Sequence, residues 1–145
     1  MFSGTNSSCF VRQNLEPIIS SHRILVIDDS PDIRQIIKLF LHSFGYVVLE
    51  AENGTTGIQT AVAEEPALIL LDSLLPDTKG LEVARALQKL PQTADIPIIG
   101  WTTDPTSTPS KEELQKAGFV AWLEKPISFV SLQALVERFV ARPER

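Results

Sequence analysis

Three carboxylates, one lysine and one threonine stand where apolar runs of this 145-residue chain come to an end. Asp28 and Asp29 follow "RILVI", Asp72 closes "ALILLD", Thr102 closes "IPIIGWT", and Lys125, with Pro126 behind it, follows "FVAWLE". A buried strand gains nothing from a charge at its end, and desolvating that charge costs stability. Singly, Asp28 or Asp72 reads as a strand reaching water, and Lys125 as a surface lysine. Gathered together, the carboxylates are costly: two unit charges about 4 Å apart repel by roughly 4 kcal/mol even at an effective dielectric of 20. A hard divalent cation removes the conflict, and Mg²⁺ is commonly held by one or two carboxylates plus waters and phosphate oxygens. The Lys125 ammonium and the Thr102 hydroxyl complement a phosphoryl group beside such a cation. The set therefore has the layout of a phosphoryl-transfer site.

These residues lie tens of positions apart, so a fold has to bring them to one place. From Arg23 the pattern alternates strand and helix. Strands are expected at 23–28, 46–51, 67–72, 96–102 and 119–124. The first, third and fourth are continuous apolar runs, which marks strands buried on both faces of a parallel sheet; the second is more polar and reads as an edge. Ser30 caps a helix with Pro31 at its first position and Asp32 at the positive end of its dipole. Its apolar stripe is Ile33, Ile36, Ile37, Phe40, Leu41 and Phe44, and Gly45 ends it. A weaker helix follows at 54–64 and a third at 80–90. A short one at 111–117 opens with a capping box from Ser110 to Glu113, and Gly118 ends it. The last is capped by Ser128 and carries Leu132, Leu135, Val136 and Phe139 inward. The class is α/β, a doubly wound five-stranded parallel sheet with five helices. Ligands of such sheets bind at the carboxyl ends of the strands, where all the residues above fall.

Composition narrows the function. The net charge of −5 argues against the basic footprint of direct nucleic-acid binding. No apolar run is long enough for membrane insertion as a spanning helix, and the N-terminal stretch lacks the features of a secretory signal. The single cysteine, Cys9, excludes an intrachain disulfide and a cysteine zinc site and reads as an idle thiol. A cytoplasmic protein is expected, with an extension at 1–22 whose Ile18 and Ile19 could dock on the core, one domain at 23–141 and a tail at 142–145.

In order and spacing, "VIDDSPDIR" (26–34), "LILLDSLLPDTKG" (68–80), "PIIGWTTD" (97–104) and "AGFVAWLEKP" (117–126) resemble the receiver domain of two-component response regulators. The resemblance covers residues 23–141 and implies a flavodoxin-like (CheY-like) sheet of order 2-1-3-4-5. It implies that Asp72 is the phosphoacceptor, a nucleophile taking a phosphoryl group from a histidine kinase or a histidine phosphotransfer protein. It implies that Asp29 binds Mg²⁺ directly and Asp28 largely through water, with Asp72 and the backbone carbonyl of Leu74 completing the protein's share. Thr102 would hydrogen-bond the phosphoryl group and Lys125 pair with it, beyond a cis Lys125–Pro126 peptide. Such a protein signals by binding a downstream protein target and catalyses only its own phosphorylation and dephosphorylation.

Three other readings compete. A degenerate receiver would be a docking module independent of phosphorylation, which the complete acidic set disfavours. A Mg²⁺-dependent aspartyl-phosphate phosphatase of the haloacid-dehalogenase type needs a second acid two residues after the nucleophile, where this chain has Leu74. A nucleotide or flavin module lacks its glycine signature here. Departures from the receiver pattern also stand out. Trp122 occupies a switch position usually held by Tyr or Phe, so an inward ring is expected to be costlier. Gly100 is expected to admit a helix closely. Leu74 and Leu75 replace more typical neighbours of the acceptor, and the Pro- and Thr-rich segment 102–112 delays the fourth helix. Thr103 is expected to point away from the site, and His22 and His42 to face solvent.

Overall fold

The computed structural model describes residues 22–102, 106 and 108–140. Five strands, β1 (Arg23–Ile27), β2 (Val47–Ala51), β3 (Leu68–Asp72), β4 (Ile98–Thr102) and β5 (Phe119–Glu124), alternate with five helices. These are α1 (Pro31–His42), α2 (Gly54–Glu64), α3 (Gly80–Gln88), α4 (Lys111–Lys116) and α5 (Phe129–Phe139). The strands form one parallel sheet in the order β2-β1-β3-β4-β5, as expected from the sequence.

Alternation along the strands sends successive side chains to opposite faces. Leu25, Ile27, Ile69, Leu71 and Ile98 pack with Ala61, Val83, Leu87 and Leu114 of α2, α3 and α4. Ile24, Val26, Leu70, Ile99 and Trp101 pack with Ile37 and Leu41 of α1 and Leu132 and Val136 of α5. With both faces covered, β1 can be aliphatic from Ile24 to Ile27 and β3 from Leu68 to Leu71, and every residue of β3 is buried.

The helix ends are fixed locally. The Ser30, Ser110 and Ser128 side chains accept from the backbone N–H groups of Ile33, Glu113 and Ser131, and Glu113 returns the bond to Ser110 to complete the capping box. Gly45 and Gly118 close α1 and α4 at φ values of 92° and 94°, a left-handed conformation that glycine adopts without a Cβ penalty. In α1 the inward face is narrower than the expected stripe. Ile37 and Leu41 are buried, but Ile36 is 48% exposed. Ile36 lies about 100° around the helix from Ile37, which places it on the shoulder of the buried face. His42 is exposed as expected, while His22, where the chain enters β1, is half-buried. Cys9, Ile18, Ile19, Thr103, Pro105 and the tail at 142–145 lie outside the described residues, so the expectations placed on them do too.

Candidate functional site

The carboxyl ends of β1, β3, β4 and β5 bring the sequence-marked residues to one rim. Asp72 is the last residue of β3 and is 7% exposed; Asp28, just past β1, is fully buried, and Asp29 beside it is exposed. One carboxylate oxygen from each of Asp28, Asp29 and Asp72 lies within 4.8 Å of the others. Lys125 reaches back from the end of β5, its Nζ 3.1 Å from Asp28 Oδ2 and 3.4 Å from Asp72 Oδ2. Thr102 ends β4, 3% exposed, and its carbonyl accepts from the Lys125 backbone N–H at 2.7 Å, tying the two strand ends together. The Lys125–Pro126 peptide is cis.

Turns on either side hold the carboxylates. The Ser30 backbone N–H donates to Asp28 Oδ1 at 2.9 Å, so the turn that caps α1 also fixes Asp28. Arg34 donates to the Asp28 carbonyl at 2.6 Å while paired with Glu50. After Asp72 the chain folds back on itself: Leu75 N–H donates to the Thr78 carbonyl, and Leu74 pairs with Lys79 in an antiparallel bridge. Gly80 closes this loop directly on the Asp72 backbone, where a Cβ would collide with the Asp72 carbonyl oxygen. Leu74 is 67% exposed beside the site, with its N–H toward Asp72 Oδ1.

The electrostatics show what the site suits. Burial, reinforced by the neighbouring Asp28 charge, pushes the Asp72 carboxyl from 3.8 up to about 6, against the opposing pull of Lys125 and the Leu74 N–H. One ammonium does not balance three clustered carboxylates. An all-oxygen donor set, partly exposed through Asp29, suits a hard divalent cation such as Mg²⁺, which keeps several waters.

The surroundings of Gly100 depart from the sequence expectation, and a second tryptophan enters the site. Gly100 does not admit a helix. It is the cross-strand partner of Trp122, whose ring lies over it; a Cβ at Gly100 would sit 2.5 Å from Trp122 Cε3 and Cζ3. In this arrangement the ring occupies the space left by the missing side chain opposite it. Trp122 is half-buried, stacks edge-on against Phe119 at 5.3 Å, and has no acceptor for its buried indole N–H among the described residues. Trp101, not singled out by the sequence, is fully buried, and its Nε1 donates to Asp28 Oδ2 at 2.9 Å. Its available signal was an indole N–H needing an acceptor, one residue from the end of a strand bound for the rim.

Comparisons with known proteins agree with this geometry. Residues 24–137 match the family model described as the response regulator receiver domain. The chain is 38% identical over 119 residues to the phosphate regulon transcriptional regulatory protein PhoB of Pseudomonas aeruginosa, covering 82% of this chain and 52% of PhoB. It is 34% identical to protein PilH of the same organism, covering 82% of this chain and 98% of PilH. It thus spans about half of the first relative and nearly all of the second. Among solved structures, the Vibrio cholerae chemotaxis protein CheY4 superposes with a TM-score of 0.74 at 29% identity, covering 81% of this chain and 98% of CheY4. The receiver domain of the P. aeruginosa sensor histidine kinase PA1611, which has a magnesium ion coordinated in its active-site cleft, superposes with a TM-score of 0.72 at 27% identity, covering 81% and 96%.

Proposed function

Because the chain belongs to the response regulator receiver domain family of two-component systems, we propose that it is a phosphorylatable switch whose acceptor is Asp72. In this reading a phosphohistidine of a sensor histidine kinase or histidine phosphotransfer protein presents its phosphorus to an Asp72 carboxylate oxygen. A P–O bond forms to Asp72 as the P–N bond breaks, and the imidazole leaves with the bonding electron pair and takes up a proton. Asp72 ends a fully buried strand, so its carboxylate is aimed with little freedom. Lys125, now 3.4 Å from Asp72, pairs with the incoming phosphoryl oxygens, and Thr102 hydrogen-bonds them. Asp29 and Asp72, Asp28 through water, and the Leu74 carbonyl would hold Mg²⁺. When bound, Mg²⁺ neutralises charge on the carboxylates and the transferring phosphoryl group.

The observation that carries this reading is the Asp72 carboxylate itself: nearly buried, raised to about 6, and flanked by both a second buried carboxylate and an ammonium. Groups perturbed by burial and a specific charge partner cluster at functional sites. Output then passes to a protein target that reads the phosphorylated state. Incubation with acetyl phosphate and Mg²⁺ is expected to add one hydroxylamine-labile phosphoryl group, absent in Asp72→Asn. Equal labelling of Asp72→Asn would remove Asp72 as the acceptor.

An apolar groove supports the kind of donor. It adjoins Lys125, has a volume of about 190 Å³, and is lined by Ile33, Ile36, Ile37, Pro126, Ile127 and Phe129. A donor helix carrying the phosphohistidine can bury apolar side chains there while its imidazole reaches the rim.

A further inference from the structure

We infer that Trp101 is a positioning residue for the metal-binding carboxylate of Asp28, and that it keeps that carboxylate satisfied when Lys125 moves to a phosphoryl group. The inference rests on the reading of the rim as a Mg²⁺ and phosphoryl site. The Asp28 carboxylate is fully buried and holds three donors: the Ser30 N–H on Oδ1, and Trp101 Nε1 and Lys125 Nζ together on Oδ2. Two of these are fixed. The Ser30 N–H belongs to the turn that caps α1. The Trp101 ring is fully buried among Ile24, Val26, Leu70, Leu132 and Val136, and its backbone carbonyl accepts from Ser73 N–H at 2.9 Å. The third donor is on a flexible stem.

Lys125 serves both Asp28 and Asp72 and lies 5.8 Å from the centroid of the Trp101 ring. Without the indole, departure of Lys125 would leave Oδ2 buried and unpaired, a desolvation penalty that would hold the lysine back. With the indole, Oδ2 stays bonded and the carboxylate keeps its orientation. Oδ1, which accepts the Ser30 N–H, keeps a second lone pair for a water of the metal. Loss of a hydrogen-bond partner of a direct ligand typically costs 10- to 100-fold in metal affinity, and for Asp28, which reaches the metal through water, the low end of that range applies.

The test uses Mg²⁺ alone, on the unphosphorylated full chain. In the parent, the indole ¹H–¹⁵N resonance of Trp101 is expected to shift with Mg²⁺ and saturate with the backbone resonances of Asp28 and Asp29. Trp101→Phe keeps an aromatic ring and removes the donor; its Mg²⁺ affinity by calorimetry is expected to fall about tenfold. If Trp101→Phe does not fold, Trp122→Phe leaves Trp101 as the sole indole and the same titration is followed there. An indole resonance that stays fixed while backbone resonances saturate overturns the inference, as does a Trp101→Phe affinity within about twofold of the parent. Either result leaves the acceptor reading standing, because that reading fails instead on equal labelling of Asp72→Asn. A parent that binds no Mg²⁺ removes the metal site and this inference with it.

Discussion

A carboxyl lifted to about 6 beside a second buried carboxylate makes the stability of the metal-free protein depend on pH in a definite direction. The folded-state value of Asp72 lies above its ordinary 3.8, so between those values the native state binds more protons than the unfolded chain. Stability therefore falls as pH rises through that window and stays lower above it. The shift converts to about 3 kcal/mol at full value, and solvent at the rim reduces this to about 1–2 kcal/mol. Urea unfolding in a chelating buffer should find Asp72→Asn more stable than the parent by that amount above pH about 6, with the difference closing toward pH about 4. Mg²⁺ should flatten the parent's slope, because the cation compensates the ionised pair. Parallel curves for parent and variant across the range would mean that the Asp72 carboxyl is not strained by its surroundings.

Single elements carry two further expectations. In the β4–β5 pair, Trp122 fills the space that Gly100 leaves empty. Gly100→Ala should cost about 1–3 kcal/mol as an overpacked contact. Pairing it with Trp122→Phe should return much of that loss, since contacting residues do not add independently. Simple additivity in the double variant would show that the ring does not rest on Gly100. At α2, the helix that looked weak in the sequence is held by Asp77 from the loop after β3. Asp77 accepts from the Gly54 N–H at 2.8 Å and from the Thr55 N–H and hydroxyl at 3.0 and 2.9 Å. The Gly54 and Thr55 N–H bonds lower its pKa, so its contribution is present above the ordinary carboxylate value and is lost as pH falls through the lowered one. Asp77→Ala should speed amide exchange at Gly54–Gly57 at neutral pH. Unchanged exchange there would leave Asn53, whose side chain accepts from Thr56 N–H at 2.8 Å, as the cap that holds the helix.

At the scale of the whole molecule, apolar side chains are exposed together on the side formed by α1 and the start of α5. Ile36 is 48% exposed, Leu39 60%, Phe129 38% and Val130 80%, and the Phe40 and Phe129 rings pack 4.7 Å apart between the two helices. The groove on this face adjoins Lys125, so with Asp72 as the proposed acceptor the face should govern transfer from a protein donor without affecting the chemistry at Asp72. Ile36→Asp is therefore expected to slow phosphotransfer from a cognate histidine kinase at least tenfold, about 1.4 kcal/mol. It should leave labelling by acetyl phosphate unchanged. Equal loss with both donors would place the defect in the site or the fold rather than in docking.

The sequence alone determined the sheet, its order through the family resemblance, and the residues of the acidic rim. The reason is that these signals are local. Uninterrupted aliphatic runs at Ile24–Ile27 and Leu68–Leu71 specify strands buried on both faces, and Ser30, Ser110 and Ser128 specify helix starts by bonds only three residues long. Asp28, Asp72, Thr102 and Lys125 could be named because each stands where such a run stops. Only the tertiary structure decided how the rim is held. The Trp101–Asp28 bond joins residues 73 positions apart, and the Asp77 bonds to α2 span 22 and 23. Trp122 meets Gly100 because the β4–β5 pairing shifts register between Ile98 and Ile99, so that Phe119 faces Ile98 while Trp122 faces Gly100. A glycine in an apolar strand announces a close approach but not what approaches, and a buried indole announces a needed acceptor but not which one. Both are settled by strand order and side-chain direction, which exist only once the chain has folded.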